Sequence, residues 1–217
     1  MSAAPAKPPA PAKPDQTLRP ALEALASADP LFAEAYERCG LPPERGHPPG
    51  FDGLVRIIAA QQVSAGAARA IVARLAERFP ALTPEAALSA GPEGLRACGL
   101  SRPKVAYCLG LAEASQTGAL DFAALERMED EEAISALVSA KGVGRWTAEV
   151  YLLFSLKRPD VFPGGDLALQ AGVQRLLNLT ERPGPEAAAE VAAARWRPHR
   201  SAAARFLWHY YHHEAGF

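Results

Sequence analysis

The sequence predicts an all-α fold, on three observations. Alanine is abundant and β-branched runs are short, which favours helices. From Thr17 onward apolar residues recur at helical spacing, and no period-2 strand or Asn-Gly hairpin signal competes. Gly and Pro punctuate the chain at short intervals, so about ten or eleven short helices with short loops are expected.

In chain order, residues 1–14 are low-complexity Pro/Ala/Lys and read as a disordered, slightly basic tail; residues 15–217 form the folded domain. Leu18, Leu22 and Leu25 share the face of a first helix. Asp29-Pro30 opens a second, with Asp29 as cap and Pro30 at the first helical position, and Gly40 ends it. After the Pro/Gly-rich loop 41–50, a helix over 51–61 carries Leu54, Ile57, Ile58 and Gln61 at helical spacing. Ser64 caps the next, which reaches Phe79. Thr83-Pro84-Glu85 and Gly91-Pro92-Glu93 each start a short helix, and 102–115 is a longer amphipathic one. Further helices are expected at 121–127, 130–139, 145–156, 166–177, 185–195 and 200–213. There is no internal repeat.

No apolar run approaches the roughly 18 residues of a membrane span, and the N-terminus has no apolar signal region, so a cytoplasmic protein without a membrane partner is expected. Cys39, Cys98 and Cys108 form neither a disulfide framework nor a CxxC metal motif and read as buried hydrophobes. Cys39 and Cys98 each precede a glycine, the pattern of a last helical turn before its cap. Net charge is −1, which argues against a bulk nucleic-acid binder. It is unevenly spread: residues 1–140 hold 13 basic and 17 acidic side chains, residues 141–217 hold 10 and 7. The basic C-terminal third either faces phosphates or is ordinary solvated surface.

The most informative segment is Ile134–Phe154, ISALVSAKGVGRWTAEVYLLF. Two apolar stripes flank Ala140-Lys141-Gly142-Val143-Gly144, where two glycines allow positive φ in a very tight hairpin and Val143 can bury between the helices. Main-chain amides at Gly142, Val143, Gly144 and the first turn after it, including Thr147, would then point outward at the positive end of the helix dipole, an anion site flanked by Lys141 and Arg145. The plainer reading is a tight turn between packed helices.

The run LVSAKGVGRWTA resembles the helix–hairpin–helix of the HhH-GPD superfamily of DNA repair glycosylases. A second part of that signature follows in Pro159-Asp160-Val161-Phe162-Pro163-Gly164-Gly165-Asp166-Leu167. The resemblance is closest to the DNA-3-methyladenine glycosylase II branch and covers about residues 50–215. It implies two helical subdomains flanking a DNA-binding cleft. Too little sequence precedes residue 50 for the N-terminal β-rich domain of larger members, so a short, core-only form is expected.

The resemblance assigns roles residue by residue. Asp166 is the catalytic carboxylate; from its setting alone it reads as a helix N-cap, and the two roles are compatible. A fixed negative charge beside a deoxyribose C1′ stabilises an oxocarbenium-like transition state and can orient water. Trp146 stands where bifunctional relatives carry a nucleophilic lysine, which implies a monofunctional enzyme. Trp146 and Trp208 are expected to sandwich a flipped base, with core tryptophan as the alternative for each, and Trp196 reads as core. Val150 and Leu167 occupy pocket positions that can be tyrosine in the family. Gln62, with Gln61 beside it, is the candidate wedge filling the gap left by the flipped nucleotide; the alternative is two solvated glutamines. Carbonyls of Val138, Ala140 and Val143 would hold a structural Na+ or K+; no cofactor is required, and no cysteine beyond Cys108 remains for an iron–sulfur cluster.

The expected substrate is therefore double-stranded DNA containing alkylated purines, and the protein is expected to act as a monomer. A glycosylase for deaminated or oxidised bases, and a non-catalytic hairpin module that only grips the backbone, remain open alternatives at this point.

Overall fold

A computed structural model describes residues 13–214. The first twelve residues of the expected tail lie outside the described residues. Lys13 and Pro14 do not continue that tail: the Lys13 carbonyl accepts from Glu44 N at 2.7 Å, and Pro14 bridges Pro43.

A short 3₁₀ turn, Gln16–Leu18, leads into twelve helices. They are α1 (Arg19–Ala28), α2 (Pro30–Cys39), α3 (Gly50–Ala60), α4 (Ala65–Arg78), α5 (Pro84–Ala97) and α6 (Arg102–Gln116). The chain continues through α7 (Phe122–Leu125), α8 (Asp130–Val138), α9 (Arg145–Phe154), α10 (Leu167–Leu176), α11 (Pro185–Trp196) and α12 (Arg200–Glu214). The two short helices expected to start at Thr83-Pro84 and at Gly91-Pro92 are both present within α5, which is broken at Gly91 by a non-helical backbone. Gly91 has φ +62, and Pro92 behind it cannot donate to the helical ladder.

The helix starts follow from local chemistry. Asp29 Oδ1 accepts from Leu31 N and Phe32 N, Ser64 caps Ala67 N, and Thr83 caps Ala86 N. α3 begins after Pro49, which offers no side-chain cap; instead the buried Tyr151 hydroxyl on α9 accepts from Gly50 N at 2.8 Å. Gly40, at φ +65, and Gly99, at φ +96, end their helices in the left-handed region that their preceding cysteines foreshadow.

Two hydrophobic clusters divide the molecule. The first is built on α3–α9, around Leu54, Ile58, Leu75, Leu111, Leu137 and Tyr151. The second joins the chain's two ends: Leu22 and Phe32 from α1 and α2 pack with Val173, Trp196 and Phe206 from α10, α11 and α12. Helix α9 serves both, with Val150 and Tyr151 in the first cluster and Leu153 in the second. The two-subdomain expectation thus holds, and the seam runs along α9. No helix among the described residues is long and apolar enough to cross a membrane.

The hairpin glycines differ from the sequence expectation. Gly142 takes φ +90, but Gly144 sits at φ −88, ψ 170, ordinary extended backbone. A Cβ at Gly142 would lie 2.2 Å from the Tyr107 ring, whereas one at Gly144 would meet nothing within 4 Å. Gly142→Ala should therefore cost about 2–4 kcal/mol of stability through strain and overlap, and Gly144→Ala about 1 kcal/mol or less. Urea denaturation of both variants checks this; equal losses would contradict it.

Candidate active site

The hairpin joins α8 to α9. Val143 is buried, with its N–H donating to Ala140 O at 3.1 Å, and anchors the turn in the first cluster. Lys141 and Gly144 are exposed on the outside. Gly144 supplies no side-chain cap, so no capping side chain occupies the first-turn amides of α9, as an anion site requires. Of the three expected cation ligands, the Ala140 carbonyl accepts the Val143 N–H and keeps its second lone pair.

Two expected backbone contacts are corrected, the Val143 amide, which is spent on Ala140 O, and the Arg145 side chain, whereas the main-chain contact expected of Thr147 stays open. Arg145 is not a free phosphate-binding charge: it makes a bidentate pair with Glu131, at 2.6 and 3.0 Å, and donates from Nε to Glu149 at 2.9 Å. Thr147 is buried, and its Oγ1 accepts from Gln61 Nε2 at 2.7 Å. Its position in the first turn, one face inward, decides this, and only its main chain remains for an outside contact.

The same bond separates the two glutamines. Gln61 is an anchor, not a wedge, because its amide is spent on Thr147. Gln62 is exposed and sits at φ +51, in the left-handed region that non-glycine residues seldom occupy. The turn thrusts Gln62 and the half-exposed Val63 outward between α3 and α4.

Asp166 lies at the seam of the two clusters. As N-cap of α10, its Oδ1 accepts from Ala168 N at 2.9 Å and Leu169 N at 3.0 Å. Oδ1 also accepts from Trp208 Nε1 at 3.0 Å, and Oδ2 from Trp146 Nε1 at 2.9 Å. Trp146 packs against the first cluster and Trp208 against the second. Four N–H donors from α9, α10 and α12 therefore converge on one carboxylate. The two indoles, read from sequence as walls around a base, spend their N–H edges on orienting Asp166.

Trp208, one of the two indoles that hold this carboxylate, also lines a recess of about 330 Å³ together with Pro42, Arg45, Phe154, His209 and His212, and with Ala65 next to the Gln62 turn. Phe154, read in sequence only as part of an apolar stripe, stacks near-parallel to Trp208, with centroids 5.6 Å apart. That gap is too small for a third ring, which needs about 7 Å, twice a contact distance. An aromatic ligand would lie against an outer face of the pair. His212 has its pKa lowered, first by partial burial, then by Arg45 and His209, with Asp166 opposing; its ring is neutral at pH 7. Val150 is buried and contributes core packing, while Leu167 is largely exposed at the rim beside Asp166.

A larger cavity of about 530 Å³ lies on another side of Trp146. Its rim carries Asp130, Glu131, Glu149, Asp160, Glu186 and Glu190 against Arg145 and Arg200, a surface that repels phosphate. Within it, burial pushes the Glu149 carboxyl up to about 7, although Arg145 pulls it down. An unfolded glutamate titrates near 4.5. Between these values the folded chain holds a proton that the unfolded chain has lost, so stability falls as pH rises through this window. Glu149→Gln removes that dependence. Its stability relative to the parent should rise by up to about 3 kcal/mol between pH 5 and pH 8. Urea denaturation at both pH values measures this, and a pH-independent difference would refute it.

With this geometry in place, comparison with known proteins is informative. Residues 55–198 match the HhH-GPD superfamily base excision DNA repair protein family. DNA-3-methyladenine glycosylase 1 of Schizosaccharomyces pombe is 37% identical over 167 residues, covering 73% of this chain and 71% of the relative. A solved structure of the S. pombe 3-methyladenine DNA glycosylase Mag1 in complex with abasic DNA superimposes with TM-score 0.76 at 32% identity, covering 87% of this chain and 95% of that one. A DNA-3-methyladenine glycosidase from Bacillus halodurans gives TM-score 0.76 at 32% identity, covering 91% of each chain. The chain belongs to the HhH-GPD superfamily of base excision DNA repair proteins.

Proposed function

We propose that this protein is a monofunctional DNA glycosylase that hydrolyses the N-glycosidic bond of flipped alkylated purines, of the 3-methyladenine type. The observation that carries this reading is Asp166: a carboxylate fixed by two indole N–H groups at the seam of two subdomains, one of those indoles, Trp208, also lining an aromatic recess. The named relatives support the substrate class.

The parts divide the work. Outward amides at Gly142 and Gly144, with Lys141, grip a phosphate without reading sequence. Carbonyls of Val138, Ala140 and Val143 would hold a Na+ or K+ that stiffens this turn and strengthens its pull on phosphate. Gln62 fills the space vacated by the flipped nucleotide. The base stacks on the outer face of the Phe154–Trp208 pair. Asp166 places its negative charge against the deoxyribose as the C1′–N bond breaks and positive charge grows on the sugar. Oδ1 already accepts three hydrogen bonds, so the attacking water is oriented by Oδ2, which accepts one. Water adds to C1′, its proton passes to solvent, and the base leaves. Trp146 cannot act as an amine nucleophile, so the product is an intact abasic site. Hairpin, carboxylate and recess all come from one chain, so a monomer suffices.

Burial lowers the His212 pKa, so the imidazole lining the recess favours its neutral form and is a poor general acid for the departing base. This suits N3- or N7-alkylated purines, whose ring is already cationic and departs neutral. Single-turnover release of 3-methyladenine should exceed that of hypoxanthine and 8-oxoguanine; faster release of either neutral base would overturn the substrate assignment. Asp166→Asn should lower the rate by about 10²-fold or more while binding of an abasic-site analogue persists. Borohydride should trap no covalent adduct; a trapped adduct would refute hydrolysis by water.

A further inference from the structure

The turn carrying Gln62 is held from two sides. On one side Gln61 Nε2 donates to Thr147 on α9. On the other, Lys104 reaches from the first turn of α6 and its Nζ donates to Ala59 O at 2.8 Å and Gln61 O at 2.6 Å. These carbonyls belong to the C-terminal end of α3, where helix carbonyls lack helical partners and the dipole is negative. A half-buried ammonium answers both needs. The Gln61 carbonyl also shares a rigid peptide plane with the Gln62 N–H. Fixing that oxygen fixes the direction from which Gln62 departs into its left-handed φ of +51.

The surroundings indicate what the clamp serves. Lys104, Gln61 and Gln62 line one cleft of about 510 Å³ together with Tyr107, Gly142 and Gly144 of the hairpin surface. A duplex gripped at the hairpin therefore passes Gln62 directly. Two of the three N–H donors of Lys104 are committed to main-chain oxygens, so its chief partner is the protein and not a phosphate.

We propose that Lys104 is a positioning residue for base flipping: by tying the Ala59 and Gln61 carbonyls to α6, it holds Gln62 in the conformation that fills the gap left by the extruded nucleotide. This rests on the glycosylase reading above. Lys104 touches neither the base nor Asp166, and it acts through Gln62 on the flipped state, before the bond breaks. Loss of the clamp lets the peptide plane turn, Gln62 relaxes, and the flipped state loses its wedge while the hairpin grip persists.

The test uses the full chain with Lys104→Met, which keeps most of the stem and removes the donors, and Lys104→Gln as a second variant. A 2-aminopurine beside a lesion in duplex DNA reports unstacking. Each variant should bind undamaged duplex with parent affinity and an unchanged salt slope, which also shows that it folds. The 2-aminopurine signal and the single-turnover release rate should both fall roughly tenfold, the scale of losing buried charge-assisted hydrogen bonds. A lesion placed opposite an abasic gap, where little pairing opposes extrusion, should recover most of the rate. In a Gln62→Ala background, Lys104→Met should add less than a twofold loss. A fully additive loss, or an unchanged 2-aminopurine signal, overturns the proposal. A salt slope shallower by about one in all duplexes also overturns it, because Lys104 is then a phosphate contact. If the parent protein releases no base from any lesion duplex, the glycosylase reading fails; an active parent matched by Lys104→Met refutes only the role of Lys104.

Discussion

The convergence of four N–H donors on Asp166 is the constraint around which the rest of the structure is arranged. Three of these donors crowd Oδ1 and one reaches Oδ2, so the remaining acceptor capacity of the carboxylate lies on Oδ2. Trp146 is rooted in the cluster built on α3–α9, and Trp208 in the cluster that joins the chain ends. The position of the charge is therefore set by both cores at once, and neither core can shift without moving it. Buried or half-buried indole N–H groups need a partner, and here that need serves preorganisation. The N-cap reading and the catalytic reading of Asp166 are thus two descriptions of one arrangement.

The charge distribution has a related explanation. The excess of bases in the C-terminal third is largely answered within the molecule by acids from earlier in the chain. Arg195 pairs with Asp29, Arg205 with Asp15, Arg158 with Asp130, and Arg145 with Glu131. The first two of these ion pairs tie α11 and α12 to the N-terminal segment that completes the second cluster. On the proposed reading, a protein of net charge −1 can hold a polyanion because main-chain amides of the hairpin supply the contact that a basic patch would otherwise provide. The acidic rim of the cavity beside Trp146 is electrostatically unfavourable to phosphate.

Much of this was legible in sequence, for identifiable reasons. Helix periodicity and caps such as Asp29, Ser64 and Thr83 act locally, so α2, α4 and the start of α5 fall where those residues place them. The Gly142–Val143–Gly144 turn and the Gly-Gly-Asp loop are short-range patterns as well. What escaped depended on partners distant in sequence. Nothing local shows that Thr147 turns inward, because its partner Gln61 lies 86 residues earlier. Arg145 looked available until Glu131 and Glu149 closed on it. Phe154 reads as one more apolar residue until α12 brings Trp208 against it, and Lys104 as a surface lysine until α3 ends beneath it. Gly144 shows the opposite error: its residue type suggested positive φ, but its backbone is extended, and its small size matters for what approaches from outside.

These elements combine into a division of labour between binding and chemistry. The carboxylate held by the two tryptophans is heavily hydrogen-bonded, and in the proposed reaction its contribution is a negative charge that needs no rearrangement as the transition state forms. Such a centre stabilises the sugar but does little for the departing base, and the neutral His212 at the mouth adds no proton. Selectivity then rests on two steps that precede or accompany bond breaking. The first is extrusion, which depends on the wedge turn held between α6 and α9 and on how weakly the damaged base pairs. The second is the intrinsic ability of the base to leave. Alkylation lowers the cost of both, since it disturbs pairing and weakens the glycosidic bond. On the proposed reading, a stacking recess can therefore discriminate damaged from normal purines without reading the base edge in detail.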